Sequence, residues 1–120
     1  MEPINTNTAK GAFEQAQCFE KSERFEEAIR FYNEIKNKHP YSKYAIRAEL
    51  RIADIYFKRE DFIEAENAYK LFKEFHPRHH KIDYVTFQIG MSIFKQLPSS
   101  IDRDLGIANN AILYFEQVVN

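Results

Sequence analysis

His76, His79 and His80 stand within five residues, and imidazoles at that density are the first place to look for a metal site. No fourth ligand or ordered carboxylate accompanies them, and a solvated turn after Pro77 is the better explanation. Asp102, Arg103 and Asp104 form a second cluster. Two carboxylates around a guanidinium could hold a polar ligand, but Asp just ahead of a helix caps backbone N–H groups and suits the positive end of the dipole. Cys18 has no partner and reads as a small, half-buried packing residue. The charged runs 23–27 and 59–66 read as solvated helix faces with acidic first turns. The sequence holds no Gly-rich phosphate loop, no G-x-S-x-G, no H-E-x-x-H and no Cys/His metal spacing. The expectation is a protein without catalytic residues, metal or cofactor.

Seventeen Lys and Arg against 18 Asp and Glu leave a net charge of -1, which removes the global field that would gather nucleic acid. With 44% hydrophobic and 29% charged residues, 3 Gly and 4 Pro, the 120-residue chain has the composition of one folded, helix-rich domain. No stretch reaches the roughly 20 apolar residues of a membrane helix, and the first ten residues lack the pattern of a signal peptide.

The elements that must position any binding residues repeat. Ala16, Phe19, Phe25, Ala28, Tyr32, His39 and Pro40 recur as Ala53, Tyr56, Phe62, Ala65, Tyr69, His76 and Pro77, always 37 residues on. A small residue, an aromatic three positions later, then Ala, an aromatic four after it and a closing Pro form the signature of tetratricopeptide (TPR) helical hairpins. The alanines fit where two helices cross closely, and larger side chains would splay them. A third unit places Ile89, Gly90 and Ile93 where the second has Ile52, Ala53 and Tyr56. Its second helix, with Ala111, Phe115 and Val118, is delayed by an insertion spanning 97–105. The reading is therefore an all-α solenoid, right-handed and superhelical, forming a single domain over 1–120. Its six helices make three hairpins at about 7–40, 44–77 and 81–120. Ala28, Ala65 and Gly90 sit at crossings, and Asp102 or Asp104 caps the last helix. The absence of a polar capping helix after Asn120 suggests a C-terminal truncation, with further repeats in the parent chain.

First helices of TPR hairpins line the inner wall, and stepping by three and four gives the residues that face it. They are Lys10, Phe13, Gln17 and Lys21, then Arg47, Leu50, Arg51, Asp54, Phe57 and Lys58, then Tyr84, Phe87, Gln88, Met91, Phe94 and Lys95. Leu50, Phe57, Phe87, Met91 and Phe94 are surplus to the hairpin crossings. Aromatic and Met anchors beside Arg and Lys suit an extended peptide with apolar side chains and an acidic or carboxylate end.

From Pro77 to Met91 the string P-R-H-H-K-I-D-Y-V-T-F-Q-I-G-M, followed by Asp102-Arg103-Asp104 and by Ala108, Ala111 and Phe115, resembles the BamD family of outer-membrane assembly lipoproteins. His79, Ile82, Asp83, Tyr84 and Gly90 carry the likeness. His80 departs from the family's Pro, Phe87 from its Tyr and Met91 from its Leu, and the loop is shorter than in longer members. The resemblance implies a non-catalytic TPR scaffold on the periplasmic face of the bacterial outer membrane. It implies that the N-terminal repeats receive targeting segments of unfolded β-barrel precursors, and that later repeats dock other machinery subunits. Cys18 lies inside a repeat helix, so membrane attachment would run through a lipid anchor absent from these residues. Two other readings are a periplasmic TPR adaptor of the Tol-Pal or cell-division type and a purely structural spacer.

Overall fold

The structure, a computed structural model, describes residues 4–97 and 105–119. Six helices follow one another: α1 (Ala9–Lys21), α2 (Phe25–Lys38), α3 (Lys43–Lys58), α4 (Phe62–Phe75), α5 (Ile82–Lys95) and α6 (Leu105–Val119). No strand occurs among the described residues. The all-α fold in sequential pairs is the one the repeat requires. The inserted segment and the capping role of Asp102 or Asp104 lie outside the described residues, and α6 begins at Leu105.

The period of 37 extends from side chains to backbone. Helices α2 and α4 start and stop 37 positions apart, and α1, α3 and α5 end at Lys21, Lys58 and Lys95. Glu23 (φ 59°) and Glu60 (φ 64°) both take the left-handed conformation just beyond α1 and α3. There the N–H groups of Arg24 and Asp61 reach back to the carbonyls of Phe19 and Tyr56, each at 2.9 Å, in the Schellman arrangement. Two further helix ends are alike: His39 and His76 close α2 and α4 with N–H bonds to Ile35 and Phe72.

The chain forms two compact units, Met1–Ile55 and Tyr56–Asn120. In the first, α1 packs on α2 around Phe13, Ala16, Ala28, Tyr32 and Ile35, all buried. Thr8 caps α1 by accepting the Gly11 N–H at 2.9 Å. Gly11 is required there, because a Cβ would strike the Asn5 carbonyl.

In the second unit, α5 packs against both α4 and α6. Ala65, Tyr69, Phe72, Val85 and Ile89 are buried. Gly90 meets α6 so closely that a Cβ would sit 2.8 Å from Phe115 Cε1 and 3.2 Å from Tyr114 Cβ. Ala28 and Ala65 are both completely buried, as crossing residues should be.

Two sequence expectations are corrected. Cys18 is exposed rather than half-buried, because it lies on the opposite side of α1 from Ala12, Phe13, Ala16 and Glu20. Phe13, expected on the inner wall, is 2% exposed. Its ring lies 5.4 Å from Tyr32 and 5.6 Å from Tyr44, in the interior of the first unit.

Candidate functional site

The inner-wall residues of α3 divide between two arcs. The helix is buried around most of its circumference at Ala45, Ala48, Leu50, Ile52, Ala53, Asp54 and Ile55. Arg47 and Lys58 are exposed and Arg51 is half-buried on the remaining arc. Leu50, expected as surplus surface, is 6% exposed and belongs to the buried arc. Stepping by three and four assumes a narrow buried stripe; α3 buries more than that. Phe57 lies one heptad beyond Leu50, half-buried, with its ring edge-on to Phe62 at 5.2 Å.

In the first unit the two arginines of α3 are already engaged. The Arg47 guanidinium lies 4.4 Å from the ring centre of Phe13 and 5.5 Å from that of Tyr44, a double cation–π contact. Arg51 Nε donates to Glu20 Oε1 at 3.1 Å, its Nη2 donates to Glu20 Oε2, and its Nη1 donates to Asp54 Oδ2 at 2.9 Å. Tyr32 Oη donates to Glu20 Oε1 at 2.8 Å. Burial raises the Tyr32 pKa above the ordinary tyrosine value, and the hydrogen bond and negative charge of Glu20 raise it further. Burial works against the Arg51 charge, but hydrogen bonds to Glu20 and the charges of Glu20 and Asp54 outweigh it and raise its pKa.

The repeat places Gln88 at the position of Arg51 and Tyr69 at that of Tyr32. In the second unit Gln88 Nε2 approaches Tyr69 Oη and Tyr84 Oη, each at 3.4 Å. The two positions are joined again there, but directly: Phe57 stands 37 residues on from Glu20, so the carboxylate that links them in the first unit has no counterpart at that position. Glu20, the acceptor at the centre of the first-unit network, was not among the candidate residues. It lies 31 residues from Arg51 and has no motif around it, so its only signal is an acidic residue near the end of a helix in register with the apolar Phe13 and Ala16.

The other candidates form a continuous feature on α5. Tyr84, Phe87, Met91 and Phe94 are spaced 3, 4 and 3, which at 3.6 residues per turn sets them in one row along the helix. Tyr84 and Phe87 are each 42% exposed and Phe94 47%, while Met91 is half-buried between them. The row is held from both sides. Tyr84 stands edge-on to Tyr69 of α4 at 6.4 Å, and Phe87 lies 5.6 Å from Phe115 of α6. Gly90 sets the spacing on the α6 side by admitting Phe115. The row is apolar surface on a rigid helix, suited to receiving apolar side chains in registered positions.

At the start of α5 the histidine cluster is a packed turn. His79 lies 5.1 Å from Phe72 and stacks on His80 at 4.4 Å, and His76 lies 5.0 Å from Phe72. The Lys81 N–H donates to His79 Nδ1 at 3.1 Å. Burial lowers the His79 pKa below the usual imidazole value, and the positive charges of His80, His76 and Lys81 lower it further.

Helical hairpins repeating every 37 residues, with small residues at the crossings and an apolar row left open on α5, define an all-α protein of the TPR type. The chain belongs to the family described as YfiO, outer membrane lipoprotein, which matches residues 5–120. It is also similar to the outer membrane protein assembly factor BamD of Neisseria gonorrhoeae and to that of Neisseria meningitidis serogroup A. Each match is 25% identical over 75 residues, covering 62% of this chain and 28% of the relative. Membership places the chain in a family of outer membrane lipoproteins, and it selects the lipoprotein reading over the Tol-Pal adaptor.

Proposed function

We propose that the chain is a polypeptide-binding scaffold for outer-membrane protein assembly, and that the α5 row receives extended segments of β-barrel precursors. The observation that carries this reading is the row Tyr84, Phe87, Met91 and Phe94, with three large side chains 42–47% exposed, two of which, Tyr84 and Phe87, lie against rings on α4 and α6. An extended strand presents every second side chain to one face, so an amphipathic segment can place successive apolar groups along such a row. The relatives' names supply the biological setting: assembly factors of outer membrane proteins. As a lipoprotein the molecule would work from the periplasmic face of the outer membrane, with barrel precursors and other assembly subunits as partners.

Arg51 is drawn out of the proposed carboxylate-binding role by its bonds to Glu20 and Asp54. Arg47 remains accessible over its two rings and is the first-unit candidate for an anionic contact.

Photo-cross-linking tests the site. A benzophenone amino acid at Phe94 or Tyr84 should capture a barrel precursor in cells. The same group at Phe75, exposed on α4, should not. Capture at Phe75 alone, or none at either row position, would remove the row as the binding site.

A further inference from the structure

On the other side of α5 the second unit carries a cleft of about 380 Å³. Lys70, Lys73 and Glu74 of α4 face Tyr114 and Gln117 of α6 across it, and buried Ile89 of α5 lies at its inner end. Ile89 is two residues from Met91, hence about 200° around the helix, so the cleft opens away from the apolar row.

The two ammonium groups converge on one ring. Lys70 Nζ and Lys73 Nζ each lie 5.8 Å from the Tyr114 centroid, within reach of its negative face. Their other contacts differ. Lys70 pairs with Glu66 at 2.6 Å, and that hydrogen bond raises its pKa. Lys73 donates to Gln117 Oε1 at 2.7 Å, a neutral acceptor, and among the described residues no carboxylate pairs with it. The cleft thus offers one cation with no anionic partner among the described residues and an aromatic wall, over an inner end closed by buried Ile89.

We propose that this cleft is a second binding site, for a carboxylate borne on a short apolar chain, as an acidic residue of a partner polypeptide presents it. The carboxylate replaces the Gln117 amide on Lys73, and the carbon skeleton lies against Tyr114 above Ile89. Glu74 on the rim opposes any anion, so binding depends on direct contact with Lys73, and a second negative charge would find no cation to offset it. The volume is near the lower end of the roughly 300–1,000 Å³ typical of ligand pockets, room for a side chain rather than a folded element.

The probe is 3-phenylpropionate, titrated into isotope-labelled protein at constant ionic strength, with 3-phenylpropionamide as the neutral control. The expected result is saturable NMR shifts confined to Lys73, Tyr114, Gln117 and the Ile89 methyls, with a dissociation constant below about 10 mM, in the weak range of a single ion pair with modest apolar burial. Lys73→Gln should weaken binding about tenfold, the effect of losing one such pair. Phe94→Ala should leave it unchanged, which separates this site from the α5 row. Equal shifts with acid and amide, no saturation, or an unaltered titration in a Lys73→Gln protein of normal melting behaviour would overturn the proposal.

Discussion

Arg51 is the residue at which local reading and structure differ most usefully. Its charge and helical position were visible in the sequence; its commitment to Glu20 and Asp54 was not, because Glu20 lies on another helix and no local pattern marks it. The hub makes a definite stability prediction. Glu20→Gln keeps the shape but removes the charge that two donors share, and should lower unfolding free energy by about 1–3 kcal/mol, the usual cost for a hydrogen bond to a charged group. Tyr32→Phe should cost less, about 1 kcal/mol, since Arg51 still satisfies Glu20. Urea melts in which Tyr32→Phe lost more stability than Glu20→Gln would contradict the arrangement. His79 makes the matching prediction about acid. Its pKa is near 6.5 when unfolded and lower when folded, so below pH 6.5 the unfolded chain binds the extra proton more readily. Its contribution to stability is therefore complete above that pH and is lost as pH falls through the folded value, when protonation of Nδ1 also breaks the bond from the Lys81 N–H. The melting temperature of His79→Asn should fall less between pH 7 and pH 5 than that of the wild type. Parallel slopes would assign the acid sensitivity to other groups.

At the scale of the element, periodicity carried nearly everything. The offset of 37 set the ends of α2 and α4, and the small residues at the crossings were readable because only volume matters there. The left-handed Glu23 and Glu60 were not readable, since Gly or Asn is the usual residue in that conformation and nothing about Glu announces it. Glu60→Gly should therefore stabilise the protein by about 0.5–1 kcal/mol, the relief of left-handed strain less the entropy glycine loses on folding. A destabilised variant would mean that the Glu60 side chain contributes more than its backbone strain costs. At the crossings the prediction has the opposite sign. Ala65→Leu should lose about 1–3 kcal/mol through overpacking, and Gly90→Ala should be costly too, because its Cβ would press on Phe115 at 2.8 Å. Unchanged melting of Ala65→Leu would undo the repeat alignment. The wall residues were harder to assign than the crossings. On α5 the row emerged as spaced, whereas on α3 a wide buried arc absorbed Leu50 and left the basic residues outside.

At the scale of the molecule, the described residues form six helices, none of them long and apolar enough to cross a membrane, in a chain of near-neutral charge. Fold and family followed from the repeat and from the Pro77–Met91 string, which together reach across most of the chain. The binding role is a property of one exposed face, and composition cannot distinguish such a face from apolar surface awaiting a covering element. Binding itself decides. A fluorescein-labelled peptide from the C-terminal strand of an outer-membrane β-barrel protein, titrated by anisotropy into wild type, Phe94→Ala and the α4 control Phe75→Ala, measures the claim directly. Loss of a buried aromatic anchor should weaken binding by about 2 kcal/mol, or roughly thirtyfold, for Phe94→Ala alone. Equal affinities for Phe94→Ala and wild type would show that the α5 row is not where the segment binds.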